Sequence, residues 1–217
     1  MDALRIGWMN TFEVVEKSGE GLRIRHPEAE IYVPAADVRG HPEVGELVEA
    51  FVYINHKKGL AAALKEPFID LERAGFVEVA GRRDNLGVFV DIGFTKDMLV
   101  SLDDLPPLKS EWPIPGDKLV CRLKRSKNQM TAKPVGLFQL KRVIPAQGIL
   151  EVEERVTAHV VHHALEGVFL FTPQGQRIFV YDKDMGGPVR LGEGFCPRIT
   201  IKRGSGDYVG SLPEEDI

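Results

Sequence analysis

The sequence predicts an all-β protein of three small five-stranded barrels in a row. Three observations carry this. Twenty-two glycines and fourteen prolines are spread along 217 residues, which suits many short strands and turns better than long helices. Apolar residues alternate along short runs, as in Val88, Val90 and Ile92, the period of a half-buried strand. The third observation is repetition: three segments align once their glycines are superposed.

Each copy opens with a strand, "TFEVVE", "GFVEVAG" or "VTAHVVHH". A short polar or glycine turn follows, "KSGEG", "RRDN" or "ALEG", and then a second strand that starts on Gly21, Gly87 or Gly167. The third strand reads "IYVP", "MLVS" or "RIFVY". A glycine–acid pair (Gly45–Glu46, Gly116–Asp117, Gly192–Glu193) then leads into a closing hairpin that ends near Pro67, Pro134 or Pro213. The hairpin strands put Val48, Ala50, Val52 and Ile54, then Leu119, Cys121 and Leu123, then Phe195, Pro197, Ile199 and Ile201 on the inward face. Phe51 and Tyr53 fall on the outward face of the first copy. Five strands in each repeat suit a small closed barrel, with units at residues 1–67, 68–134 and 135–217. A short helix is expected at "EPFIDLERAGF", where Glu66–Pro67 marks a start.

Composition limits the function classes. Lys and Arg number 28 against 32 Asp and Glu, a net charge of −4, so no global positive field advertises nucleic acid and an anionic partner needs a local patch. The middle unit is the most basic, with eleven cationic against ten acidic residues. The start "MDALRIGWMN" has no basic, then apolar, leader pattern, and no apolar run reaches the roughly 18 residues of a membrane helix. Two distant cysteines, Cys121 and Cys196, fit a reducing cytoplasm better than a disulfide scaffold. Cys121 is expected in the core and Cys196 nearer the surface.

The middle unit, "GFVEVAGRRDNLGVFVDIGFTKDMLVSLDDLP…IPGDKLVCRLKRSKNQMTAKP", resembles the S-one (S1) RNA-binding domain repeated in the largest protein of the bacterial small ribosomal subunit. The third unit resembles it less, and the first less again. The tandem arrangement is similar to the bacterial CvfB (YitL-like) family of RNA-binding regulators. That resemblance implies oligonucleotide-binding (OB) barrels, which bind single strands across strands two and three and the adjoining loops. It also implies a winged-helix domain after the third barrel, which a chain ending at Ile217 does not reach.

On this resemblance the second strand carries outward aromatics that stack bases, while lysines and arginines neutralise phosphates. In the middle unit Leu86 holds the first aromatic place, Phe89 the second, and Ser101 the place of a third-strand His. Lys124, Arg125, Lys127 and Gln129 occupy the closing hairpin. In the third unit Phe169 takes the place of Phe89, with Phe171 following on the same face, Tyr181 at the His place, Glu166 at the first aromatic place, and Lys202 and Arg203 in the hairpin. In the first unit the outward positions are Arg23 and Arg25, with Lys57 and Lys58 in the hairpin.

Other readings stand beside these. Phe169 and Phe171 can equally cover a neighbouring barrel, Phe89 less readily so, and "RLKRSKNQ" can be a solvated hairpin tip. "HVVHH" has no accompanying ligand cluster, so a strand end explains it better than a metal site. "GGPVRLGEG" lacks the Lys-Ser/Thr ending of a phosphate loop. No nucleophile elbow, zinc motif or kinase motif is present, so neither catalytic residues nor cofactors are expected. The expected protein is a cytoplasmic, non-catalytic binder of single-stranded RNA, a post-transcriptional regulator acting alongside a ribonuclease or the ribosome. It has no membrane partner, and a monomer is the simplest oligomeric state. The alternative is a protein-interaction scaffold that docks a partner through Phe51 and Tyr53.

Overall fold

The computed structural model describes residues 3–55, 58–127, 129–185 and 187–212. Its strands form three barrel-like sheets. The first contains β1 (Met9–Ser18), β2 (Gly21–His26), β3 (Ala29–Pro34), β4 (Leu47–Ile54) and β5 (Leu60–Ala63), in the order β3-β2-β1-β4-β5. The middle one contains β6 (Gly75–Arg83), β7 (Gly87–Val90), β8 (Met98–Ser101), β9 (Lys118–Ser126) and β10 (Gln129–Pro134), in the order β10-β9-β6-β7-β8. β3 meets β5, and β8 meets β10, which brings the edges of each sheet together.

The third sheet contains β11 (Ala158–Ala164), β12 (Gly167–Phe171), β13 (Arg177–Tyr181), β14 (Gly194–Phe195), β15 (Arg198–Lys202) and β16 (Asp207–Ser211). Its order is β14-β11-β12-β13-β16-β15, with β13 and β16 parallel and the other pairs antiparallel. β14 and β15 are two pieces of the strand expected to be single. Pro197 lies between them, and it has no N–H to give to a ladder. The two pieces lie at opposite ends of the sheet order, so the break is also where the barrel comes round on itself.

The alternating pattern fills each interior: Phe12, Val14, Ile24 and Val33 in the first barrel, Val88, Val90, Ile92 and Val100 in the middle one, Val160, Leu170, Ile178 and Val180 in the third, all fully buried. Burying each such side chain stabilises by about 1.5–3 kcal/mol. The glycine that opens every second strand has a steric cause. At Gly87 φ is +131°, and a Cβ there would lie 2.1 Å from the Val100 carbonyl oxygen; Gly21 and Gly167 meet Val33 and Val180 at the same distance. Each first strand also carries a bulge at one repeated place, after Val14, Val79 and Val160. A bulge bends the strand and increases its twist, as a tight barrel needs.

Three expectations are corrected. No helix forms at residues 66–76. Asp70 instead caps a turn, its carboxylate accepting from the Glu72 and Arg73 amides at 2.7 and 2.6 Å, while the Phe68 amide donates to the Ile92 carbonyl and Ile69 is buried. The short helix α1 (Leu140–Val143) lies elsewhere. Ile201, expected inward, is half exposed, because a bulge between Ile199 and Ile201 reverses the alternation. Phe51 and Tyr53, expected to dock a partner, are 2% and 3% exposed. They pack on Phe94 of the middle barrel at 5.7 and 5.4 Å between ring centres.

That packing makes the first seam, which also buries Asp37. Its carboxylate accepts from the Thr95 amide of the middle barrel at 2.8 Å. Burial, with the Asp37 charge adding to it, pushes the Tyr53 hydroxyl up to about 12. The second seam joins the middle and third barrels. Phe76 stacks on Phe171 at 6.4 Å and tilts against His159 at 5.5 Å. Two of the repeated glycine–acid turns meet here: the Lys118 amide donates to the Gly192 carbonyl at 2.9 Å, and Arg190 bridges Asp117 and Glu193 at 3.1 and 3.0 Å. The connection between these barrels lies on the third. Leu140 is buried, Lys141 pairs with Asp207 at 2.6 Å, and the Leu150 amide donates to the Tyr208 hydroxyl at 3.0 Å.

Candidate nucleic-acid interface

Short second and third strands, held by the glycine close approach, set the outward side chains of each barrel. In the middle barrel Phe89 lies on β7 between Gly81 of β6 and Leu99 of β8. It is half buried, with the Arg83 guanidinium 5.7 Å from its ring centre. Ser101 ends β8, and its hydroxyl accepts from the Asp103 amide at 3.4 Å, so it caps a short helical turn. Lys124, Arg125 and Lys127 are exposed on the β9–β10 hairpin, and Arg125 donates to the Ile6 carbonyl at 3.3 Å. An open cleft of about 360 Å³ brings Ser101, Lys124 and Gln129 together beside Asp103 and Asp104.

The third barrel presents more rings. Phe169 on β12 packs on Phe179 of β13 at 4.9 Å, and Phe179 meets Tyr181 edge-on at 4.8 Å. His162 on β11 extends the row, 6.3 Å from Phe169. Arg177 lies 5.4 Å from the Phe169 ring centre and Lys183 5.6 Å from that of Tyr181. Phe169, Phe179 and Tyr181 are half buried and His162 is exposed. A row of rings with cations alongside can stack bases and meet phosphates.

Phe171 corrects an expectation. It lies two residues from Phe169 but is fully buried, because the middle barrel covers that end of β12. Lys202 is ion-paired with Glu151. Arg203 is exposed at the start of the closing turn, its amide bonded to the Asp207 carbonyl at 2.8 Å.

Sequence reasoning misses Phe179, Arg177 and His162 as site residues. The signal that marks the first two is the period of two in "RIFVY", which puts Arg177, Phe179 and Tyr181 on one side.

In the first barrel Arg23 and Arg25 are exposed on β2 but surrounded by acids. Arg23 pairs with Glu16 at 2.8 Å and Arg25 with Glu30 at 3.2 Å. Tyr32, opposite Arg23 on β3, is an exposed ring on this face. Lys57 lies outside the described residues.

The imidazoles of "HVVHH" that face the 189–194 loop are taken up by backbone. His159 Nδ1 lies 3.2 Å from the Gly192 carbonyl and His163 Nε2 2.9 Å from that of Val189. Burial, ahead of the Lys118 charge, holds the His159 imidazole below its usual value against the opposing Gly192 bond. Cys121 is buried, and burial pushes its thiol up; Cys196 is exposed. Among the described residues no helix is long and apolar enough to cross a membrane.

Known proteins match this architecture. The family described as "CvfB first S1-like domain" matches residues 74–133, and that described as "S1 domain" matches residues 6–65. The protein YitL of Bacillus subtilis is 30% identical over 216 residues, which is 99% of this chain and 72% of YitL. The chain belongs to the CvfB family. Another relative in the CvfB family, conserved virulence factor B of Staphylococcus epidermidis, is 29% identical over 95% of this chain and 71% of its own. A multidomain protein with nucleic acid binding domains from Streptococcus pneumoniae shares the fold, with a TM-score of 0.85 and 23% identity over 98% of this chain and 75% of its own.

Proposed function

We propose that this CvfB-family protein binds single-stranded RNA without catalysing a reaction on it. In this reading residues 1–67, 68–134 and 135–217 are three S1-type domains, and the strand crosses the outer faces of the second and third. The single observation that carries it is the row His162–Phe169–Phe179–Tyr181 with Arg177 and Lys183 beside it. Stacking on exposed rings contributes about 1–3 kcal/mol per base and accepts any base. Duplex RNA hides its base faces, so the same rings select single strands. On the middle face Phe89 stacks a base, and Arg83, Lys124, Arg125 and Lys127 supply the phosphate contacts.

The relatives named conserved virulence factor B support a role in regulating gene expression, at the post-transcriptional level if RNA is the ligand. A cytoplasmic location and a ribosomal or ribonuclease partner belong to the same proposal. The scaffold alternative loses the surface it named, since Phe51 and Tyr53 are inside a seam.

The test is fluorescence-anisotropy titration of a labelled single-stranded RNA, and of the same RNA annealed to its complement, at low and moderate salt. Binding of the single strand that weakens with salt and exceeds duplex binding supports the proposal. Equal binding of both forms, or none at low salt, rejects it.

A further inference from the structure

Opposite charges pair over much of this surface. Lys17, Arg23, Arg25, Arg82, Lys109, Arg177, Arg190, Arg198 and Lys202 each have a carboxylate partner. The outward side of β9 breaks this rule. Among the described residues Arg122 and Lys124 have no acidic partner, and Arg125 bonds only a carbonyl. These three and Lys133, which pairs with Asp104 at 3.0 Å in the adjoining cleft, line an open groove of about 860 Å³ with no carboxylate in its wall.

The far wall of the groove is the connection that leaves β10, and it carries Phe138, 94% exposed. This ring is held out rather than loose. The Val135 amide donates to the Val120 carbonyl at 2.8 Å, the Gln139 amide to that of Gly136 at 2.8 Å, and Leu140 is fully buried. This exposed ring lies beside Arg122 and Lys124, cations with no acidic partner among the described residues. Lys124 and Lys133 line both this groove and the cleft that begins at Ser101. The groove is therefore continuous with the middle face across β10 and β9.

We infer that the groove between Arg122 and Phe138 is a second binding site for single-stranded RNA, which takes the phosphates of a strand leaving the middle face on Arg122 and Lys124 and stacks one base on Phe138. Cations with no carboxylate suit a polyanion, and the ring suits a base. The inference rests on the RNA reading above, and it predicts that the affinity gained by a longer RNA depends on Arg122 and Phe138, which the faces alone do not require.

The experiment uses the full chain with fluorescein-labelled oligouridylates of about 8 and about 24 nucleotides, since one OB barrel covers about 4–16. The variants are Arg122→Ala, Phe138→Ala, their combination, and Arg122→Lys; all replace exposed side chains, and thermal melts check that each stays folded. The combined variant is expected to bind the short oligomer as the native chain does and the long one about tenfold more weakly. Its log–log salt slope on the long oligomer should fall by about 0.7 for the one phosphate that Arg122 no longer neutralises, and Arg122→Lys should restore that slope. Native affinity and slope on the long oligomer in the combined variant would overturn the groove and leave the faces intact. Absence of binding to either oligomer by the native chain would reject the RNA reading itself, and the groove with it.

Discussion

With single-stranded RNA as the proposed ligand, the outer faces of the middle and third barrels would hold it differently. The middle face has one ring, Phe89, beside a hairpin of exposed cations. The third has a row of four aromatic side chains, with Lys202 of its hairpin neutralised by Glu151 and Arg177 shared with Asp207. Counterion release depends on salt, whereas stacking does not. Two neighbouring copies of one fold thus differ in what they offer a ligand, one chiefly charge and one chiefly stacking surface. The first barrel shows what happens when neither is available, since its arginines are matched by glutamates across the strand.

The largest expected effect tests whether outward rings on β12 have separate roles. Phe171→Ala empties a fully buried site between barrels, which costs about 3–5 kcal/mol of stability. Phe169→Ala, two residues away, should leave the urea midpoint almost unchanged. Equal midpoints for the two variants would erase the distinction between seam and face.

Next comes affinity. Phe169→Ala with Phe179→Ala should weaken binding of a short single-stranded RNA by about 1–3 kcal/mol per base unstacked, with the salt slope kept. The converse pair, Lys124→Ala with Lys127→Ala, should lower the slope by about 0.7 for each phosphate left without its lysine, with a smaller loss of affinity at moderate salt. If each pair moved both quantities alike, the division between faces would fail.

The smallest effect concerns pH. His159 is buried against Phe76, and that burial holds its folded value below the unfolded one of about 6.5. A lowered base binds fewer protons when folded, so stability is full above the unfolded value and falls as pH drops below it. The groups facing the imidazole across the seam are Lys118, which lowers it further, and Asp117, which opposes. Urea midpoints at pH 8 and pH 5.5 should differ less in His159→Gln than in the native chain, and an unchanged difference would remove His159 from the seam's proton balance.

Much of the fold was legible because its causes are local. The glycine before each second strand follows from a carbonyl 2.1 Å away, and the alternation of Val88, Val90 and Ile92 follows from the pleat. What was hidden depends on distant chain. Phe51, Tyr53 and Phe171 look like Phe169 in sequence, and only the neighbouring barrel distinguishes them. The bulge before Ile201 reversed an alternation that composition does not mark. Phe179 was visible by period but not by alignment of the repeats, because Leu99 stands at its place in the middle barrel and no ring there points to it.

Main chain fastens the second seam beside its side chains: the Lys118 amide bonds the Gly192 carbonyl, and the Leu191 amide that of Glu111. The connecting residues are fastened to the third barrel from Leu140 to Glu154. Two beads on a loose string reach for a ligand independently, and affinity climbs smoothly as the ligand lengthens. Here there is no slack to take up. The interval between the two faces is a fixed gauge, so an RNA too short to bridge it gains nothing from the second face. One just long enough gains all of it at once, and binding should rise with length in a step.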